Sequence, residues 1–142
     1  MVRVFCTWYV ARTVLGFADI RGQSLAIGAL EHALCAGRLA HAYVFGGPSG
    51  VGKSTTALAL FAALNCEHGG SGACELCQKV DHDVHPDLLR LLPTGTGGFV
   101  TVAQVRELIG KLAYAPHEAK ARMILIEDAD RLTVEAVNAL LK

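Results

Sequence analysis

The stretch Gly47-Pro-Ser-Gly-Val-Gly52-Lys53-Ser54 decides the fold, because it is a complete G-x-x-x-x-G-K-S motif. A short apolar run at 42–45 precedes it and predicts a buried strand, and the Ala- and Leu-rich stretch 53–65 predicts a helix. Glycines let the backbone curl so that its N–H groups converge, and the helix N-terminus adds a partial positive charge. A strand, this loop and a helix in succession predict a phosphate-binding loop.

Two side chains of this loop have separate predicted roles in nucleotide binding. Lys53 is expected to reach the β- and γ-phosphates, and the Ser54 hydroxyl is expected to bind Mg²⁺. The alternative is a glycine-rich turn that binds nothing, and the three fixed elements of the motif argue against it. The expected cofactors are ATP and Mg²⁺. The residues predicted to bind them are Gly47, Pro48, Ser49, Gly50, Val51, Gly52, Lys53, Ser54 and Thr55.

Acidic residues follow a predicted strand at 122–126. A phosphate-binding loop works with an acid at the end of a neighbouring strand, which holds the water shell of the magnesium. Glu127 is predicted to face the metal and Asp128 to orient the attacking water, although the usual order is Asp and then Glu. A misplacement of about 1 Å can cost about a hundredfold in rate, so the exchange predicts slow hydrolysis. The alternative is that these acids, with Asp130, only cap the following helix.

The rest of the chain alternates strand and helix patterns. Helices are predicted at 24–36, from the capping box of Thr101 and Gln104 to about Tyr114, and at 133–142, where Thr133 is the cap. The apolar face of the second of these helices is expected to comprise Val102, Val105, Leu108, Ile109 and Leu112. A strand is predicted at 88–92 and a loop or small module at 66–80. This alternation predicts an α/β fold, with a parallel sheet flanked by helices.

Composition excludes several classes of protein. The 142 residues are 52% hydrophobic, so the chain can bury a core, and 13 basic residues balance 13 acidic ones. Bulk attraction to nucleic acid is therefore not expected, and any DNA contact is local or belongs to a partner. The uncharged stretch 4–11 is far shorter than the roughly 20 residues that cross a bilayer, and no signal cleavage site follows it.

The cysteines predict a metal site, because thiols without a secretory signal favour metal binding or free thiols over disulfides. Cys66, Cys74 and Cys77 follow the predicted helix and supply three thiolates for a structural Zn²⁺. His82, five residues past Cys77, is the predicted fourth ligand, while His68 and Asp81 are nearby alternatives. The opposing interpretation is a loop of three reduced thiols without metal.

Several further motifs carry a family resemblance. They are Gly22-Gln23, His41-Ala-Tyr, Leu64-Asn65-Cys66, Cys74-x2-Cys77, His85-Pro-Asp87, Val105-Arg-Glu-Leu108, Asp128-Ala-Asp130-Arg-Leu and Asn138-Ala-Leu-Leu-Lys142. With the phosphate-binding loop, they resemble the clamp-loader subunits of bacterial DNA polymerase III, which are AAA+ ATPases. The resemblance implies an AAA+ domain over 17–142 with the cysteine module inserted at 66–82. Residues 1–16 are left as an N-terminal extension of unknown role, in which alternating Val2, Val4, Cys6, Trp8 and Val10 allow an edge strand.

The resemblance also implies a function. It predicts an ATP-binding, cytoplasmic subunit in a heteropentameric ring with other clamp-loader subunits, helping to load the sliding clamp onto primed DNA, with no membrane. The Gly/Thr loop before Thr101 and the Asp128-Ala-Asp130 motif are more similar to the delta-prime subunit, which has weak or no ATPase activity, than to the gamma/tau motor. A phosphate-binding loop also begins small-molecule kinases, but the clustered arginines of such enzymes are missing from this sequence. A nonenzymatic zinc-and-nucleotide module is a third interpretation.

Two departures from the family pattern affect these expectations. The family module has a fourth cysteine where this chain has Val80. The sequence ends at Lys142, before the place of the family's fourth core strand, so 17–142 is expected to be a partial domain. Because unpaired strand edges favour aggregation, the chain alone is expected to be unstable.

Overall fold

The computed structural model describes residues 16–94 and 97–141, so the extension with its possible edge strand lies outside the described residues. The helices are α1 (Ser24–Cys35), α2 (Lys53–Asn65), α3 (Glu75–Asp81), α4 (Val102–Leu112) and α5 (Val134–Leu140). The strands are β1 (Leu88–Leu91) and β2 (Met123–Ile126), and short 3₁₀ turns occur at Phe17–Asp19 and Ala129–Arg131. The mixed order and the parallel sheet agree with the predicted α/β class.

In the described residues the sheet has two parallel strands, with Leu88 opposite Met123 and Leu91 opposite Ile126. Both strands were predicted, at 88–92 and 122–126. The prediction of a further strand at 42–45 is wrong, because no strand forms there and Val44 is 82% exposed. A cavity of about 570 Å³, lined in part by Leu39, Tyr43 and Met123, lies between this segment and β2. The segment is therefore apolar and strand-like in sequence, yet it does not pair with either described strand.

Alternation along the two strands gives the sheet two different faces. Leu88 and Leu125 are buried in a core cluster with the side chains of α2 and α3. Leu91 and Ile126 are buried in a second cluster on the opposite face, with side chains of α4 and α5. Any other side chain that alternates with Leu88 or Leu125 consequently lies on the α2 face.

Local signals explain where the helices begin. Gly52 has a φ of 92°, a conformation that favours glycine, and α2 starts at the next residue. The predicted capping box at Thr101 is confirmed, and the Thr133 hydroxyl accepts a hydrogen bond from the Ala136 N–H at the start of α5. The expected apolar face of α4 is only half right. Val105 and Leu108 are buried, but Ile109 is 40% and Leu112 41% exposed.

Helix α3 lies where a loop was predicted. Its first turn is capped by Cys74, whose sulfur accepts a hydrogen bond from the Cys77 N–H. Cys77 and Val80, three residues apart on one side of the helix, are buried against the α2 cluster. Seven residues are too few for a stable isolated helix, so the cap and this packing account for it.

The amino ends of the two strands are joined by a buried ion pair between Asp87 and Arg122. The Asp87 carboxylate also accepts hydrogen bonds from the N–H groups of His117, Glu118 and Ala119 at 2.7–3.0 Å. Arg122 donates in turn to the carbonyls of Lys111, Tyr114 and Ala115. This network fixes the turn that leads into β2.

The end of helix α2 is linked to the start of β2. The side chain of Asn65, the last residue of the helix, accepts a hydrogen bond from the Ala121 N–H just before β2, at 2.9 Å. This contact joins the helix that follows the glycine-rich loop to the segment that leads into β2.

Candidate functional site

The glycine-rich loop has the backbone conformation that the motif requires. Gly47, Gly50 and Gly52 all have positive φ, at 147°, 81° and 92°. A side chain at Gly47 would also place its Cβ only 3.3 Å from the Val51 side chain. The loop is exposed, whereas Ser54 is buried in the first turn of α2. This combination of curled backbone and helix N-terminus suits an anion such as phosphate.

Lys53 lies over the loop that it follows. Its ammonium group donates hydrogen bonds to the carbonyl oxygens of Gly47 at 2.8 Å and Pro48 at 2.7 Å. The Thr56 hydroxyl donates to the Gly52 carbonyl at 2.8 Å, which ties the loop to the next turn of α2. Phosphate oxygens would therefore compete with two loop carbonyls for an ammonium group that is already in place.

The two acids predicted to act with the loop lie at the carboxyl end of β2. Glu127 and Asp128 are 3% and 4% exposed. Glu127 alternates with Leu125, which places it on the α2 face, and its N–H donates to the Leu91 carbonyl at 3.0 Å. Asp128 has a φ of 53° and starts the 3₁₀ turn, where its carbonyl accepts from the Arg131 N–H. Both acids therefore lie directly after the carboxyl end of β2, and their roles at a metal stay predictions.

The capping interpretation of the acids finds no support in the local geometry of α5. The cap of α5 is Thr133, and Asp128 precedes the 3₁₀ turn without a side-chain capping hydrogen bond to that turn. Burial of both Glu127 and Asp128 also sets them apart from ordinary exposed caps.

Sequence reasoning missed Arg90, which contacts Glu127. Arg90 is the charged residue in the apolar strand β1, and its guanidinium group pairs with Glu127 and, at 2.6 Å, with Asp83. Burial lowers the pKa of Arg90, but the two carboxylates outweigh this effect and the net pKa is raised. The available signal was an arginine in an otherwise apolar strand, because a buried cation requires an acidic partner.

The three predicted cysteines come together after α2. Their sulfur atoms all lie within 4.8 Å of one another, with 3.4 Å from Cys66 to Cys74 and 3.4 Å from Cys74 to Cys77. Zn–S bonds of about 2.3 Å in a tetrahedron put sulfur atoms about 3.8 Å apart, so the set fits three corners of a zinc site. Burial raises the pKa of Cys66, but hydrogen bonds from the N–H groups of Gly70 and His68 outweigh burial and lower this pKa to about 6. For Cys77, burial raises the pKa to about 11.

The described structure does not bring His82 to the cysteines. His82 is the C-cap of α3, while Cys74 and Cys77 lie at the first turn, and its Nδ1 is hydrogen-bonded to the Gln78 carbonyl at 2.7 Å. His68 contributes its backbone N–H to the Cys66 sulfur at 3.3 Å. Among the residues that the structure describes, the cluster of candidate metal ligands contains the three cysteines and neither histidine.

The loop, the helix that follows it and the acids at the strand end define a P-loop protein with an α/β core. A family model described as "DNA polymerase III, delta subunit" matches residues 22–142, which is most of the chain. The chain therefore belongs to this family of clamp-loader AAA+ proteins.

Individual relatives point to the same group. The chain is 35% identical over 130 residues to DNA polymerase III subunit tau of Escherichia coli (strain K12), covering 89% of this chain and 20% of the relative. It is 36% identical over 132 residues to subunit gamma/tau of Mycobacterium tuberculosis (strain ATCC 25618 / H37Rv), covering 89% and 22%. The chain thus spans about a fifth of the length of these relatives. Within residues 16–94 and 97–141, none of the helices has the length and apolar character to span a bilayer.

Proposed function

We propose that this chain is an ATP-binding, delta-prime-like subunit of the DNA polymerase III clamp loader. It would act in the cytoplasm within a heteropentameric ring of clamp-loader subunits and assist the loading of the sliding clamp onto primed DNA. The observation that carries the proposal is the glycine-rich loop with Lys53 across it, followed directly by α2 and the cysteine cluster, in a chain that the family model matches over 22–142.

The proposed nucleotide site uses the loop 47–55. Backbone N–H groups and the Lys53 ammonium would bind the phosphates, Ser54 would bind Mg²⁺, and Glu127 and Asp128 would lie on the metal side. Bound ATP would supply the negative charge of its phosphates, and Mg²⁺, the Lys53 ammonium and the backbone N–H groups would offset that charge. Hydrolysis is expected to be slow, because the lengths of the two acids are exchanged and Glu127 is already paired with Arg90.

Titration of a fluorescent ATP analogue in the presence of Mg²⁺ tests nucleotide binding. Lys53→Ala should abolish saturable binding, since the phosphates lose the ammonium group that the loop holds in place. Lys111→Ala is the matched control, because the Lys111 side chain is exposed and pairs with Glu107 on its own helix. Equal binding by the unchanged protein and by Lys53→Ala would contradict the proposed site.

A gamma/tau-type ATPase motor is the second candidate, because the relatives described above are tau and gamma/tau subunits. The delta-prime assignment is supported instead by Asp128-Ala-Asp130 and by the buried pair of Glu127 with Arg90. Steady-state ATP turnover, measured in the assembled complex with sliding clamp and primed DNA, separates them. Turnover that rises with primed DNA and collapses on Asp128→Asn would support the motor.

The cysteine cluster is proposed to hold one structural Zn²⁺ through Cys66, Cys74 and Cys77. His82 was the fourth ligand predicted from spacing, and its place at the far end of α3 argues against it. Metal analysis should find about one zinc per chain, because three convergent thiolates form most of a closed site. Cys77→Ser should lower this content, whereas Cys35→Ser, at an exposed cysteine outside the cluster, should not. Less than about a tenth of an equivalent in protein kept from chelators would refute zinc binding.

A further inference from the structure

Arg90 lies between two carboxylates that are far apart in sequence. Asp83 is in the turn after α3, with its side chain 48% exposed, and Glu127 follows β2, with its side chain 4% exposed. Both are ion-paired with the guanidinium group of Arg90, whose side chain is 16% exposed. Arg90 therefore joins an exposed acid after α3 to a buried acid at the end of the sheet.

The direction of Arg90 follows from the alternation of β1. Leu88 faces the α2 cluster, so Arg90, two residues later, is on the same face. Glu127 reaches that face by the same alternation from Leu125. Their charges consequently meet on the side of the sheet that α2 covers, at the carboxyl end of β2.

The hydrogen bonding of Arg90 is incomplete. Its Nε atom is buried and has no hydrogen-bond partner among the described residues, so its contacts are made by the terminal nitrogens. A carboxylate held by a guanidinium group has its charge partly neutralised, and a cation that needs the same carboxylate must compete with that group. Arg90 and a magnesium ion would both draw on the single negative charge of Glu127.

We propose that Arg90 is a positioning residue that holds Glu127 and thereby weakens the contribution of Mg²⁺ to nucleotide binding. The inference rests on the proposed function, because it concerns the acid on the metal side of that site. Asp83 is part of the arrangement, since it anchors the guanidinium group from the other side. Loss of Arg90 should make the charge of Glu127 more available to the metal, whereas loss of the Asp83 carboxylate should leave the guanidinium charge to Glu127 and make it less available.

The test measures the binding of a fluorescent ATP analogue to the full chain, first with EDTA and then over a titration of Mg²⁺. Arg90→Met should lower by about tenfold the Mg²⁺ concentration at which the increase in ATP-analogue binding is half-maximal. It should leave the affinity for the ATP analogue in EDTA unchanged. Asp83→Asn keeps a residue that tolerates the φ of 60° at this position, and it should raise the same Mg²⁺ concentration by about twofold, because the guanidinium charge is then left to Glu127. Arg106→Met, on the exposed side of α4, is the matched arginine control and should change neither quantity.

The variants separate this role from a merely structural one. General damage to the fold would weaken binding in EDTA, whereas release of Glu127 changes the response to Mg²⁺ alone. Adding Glu127→Gln to Arg90→Met should cancel the lowered Mg²⁺ requirement, because the negative charge of Glu127 is then removed. If Arg90→Met does not fold, Asp83→Asn decides the question.

Unchanged Mg²⁺ dependence in both Arg90→Met and Asp83→Asn, with nucleotide still bound, would overturn the role of Arg90 while the proposed function stands. Absence of nucleotide binding by every form, with or without Mg²⁺, would overturn the proposed function and this inference with it.

Discussion

Two arginine–carboxylate pairs connect β1 and β2, one at each end of the sheet. Asp87 and Arg122 precede their strands and pair at 3.1 Å, while Arg90 and Glu127 pair toward the carboxyl ends. In both, the acid is almost fully buried and the arginine is 14–16% exposed. The two pairs have the same chemistry and different surroundings.

The surroundings decide what each pair does. Asp87 accepts from three backbone N–H groups besides Arg122, and Arg122 donates to three carbonyls, so nearly every donor and acceptor is used. Arg90 has a buried Nε without a partner in the described residues and shares its terminal nitrogens between Glu127 and Asp83. The saturated pair fixes a turn, whereas the Arg90 pair retains a buried donor without a partner in the described residues.

Removal of Asp87 should have the largest effect on stability. Asp87→Ala leaves Arg122 buried without its acid and orphans three N–H groups, and we expect a loss of about 3–5 kcal/mol in the free energy of unfolding. Denaturant unfolding measures it, with Asp19→Ala at an exposed acid as the control, for which a change within about 0.5 kcal/mol is expected. A loss below that of Glu127→Gln would reverse the ranking of the two pairs.

The Asp87 pair should also give the protein a marked acid sensitivity. Burial raises the pKa of Asp87, but the backbone N–H groups and Arg122 outweigh it and hold the pKa well below its ordinary 3.8. Because the folded pKa is lower than the unfolded one, the stabilisation is present above about pH 4 and is lost as the pH falls toward the folded pKa. Asp87→Asn should flatten the decline of unfolding free energy below about pH 4, and an unchanged slope would contradict this origin.

Glu127→Gln should be less costly than loss of Asp87. It replaces a charged hydrogen bond with a neutral one and leaves Arg90 with Asp83, so we expect about 1–3 kcal/mol by the same unfolding measurement. Glu107→Gln, an exposed acid paired within α4, is the matched control. A cost above that of Asp87→Ala would show that the carboxyl-end pair is the main structural one.

Asp83→Asn should have the smallest effect of the series. Asp83 is 48% exposed at its side chain, and exposed ion pairs contribute about 0.2–1 kcal/mol. High salt should reduce the difference between this variant and the unchanged protein, since solvent screens the pair. A larger, salt-insensitive loss would mean that Asp83 supports the turn after α3 by itself.

Local signals in the sequence were sufficient for several elements. Helix α2 has the predicted bounds, because Gly52 supplies the positive φ before it and the polar cysteine segment follows it. The capping box of Thr101 placed the start of α4, and the apolar runs of β1 and β2 placed both strands. These features depend on residues within a few positions of one another, so their order alone specifies them.

Partners distant in sequence decided the rest. The run 42–45 has strand composition, but a strand also needs a neighbour to complete its hydrogen bonds, and neither described strand supplies one. Helix α3 forms because Cys77 and Val80 pack against α2, which composition did not indicate.

For the candidate site, the sequence by itself determined the glycine-rich loop, the acids after β2 and the three cysteines, because each is a short motif. Only the tertiary structure decided that Glu127 meets Arg90, 37 residues away in sequence. It also decided that His82, which is eight residues after Cys74, does not join the cysteine cluster. The physical reason is that a motif fixes residue types and local backbone, whereas charge pairing and metal geometry depend on which faces of separate elements the fold brings together.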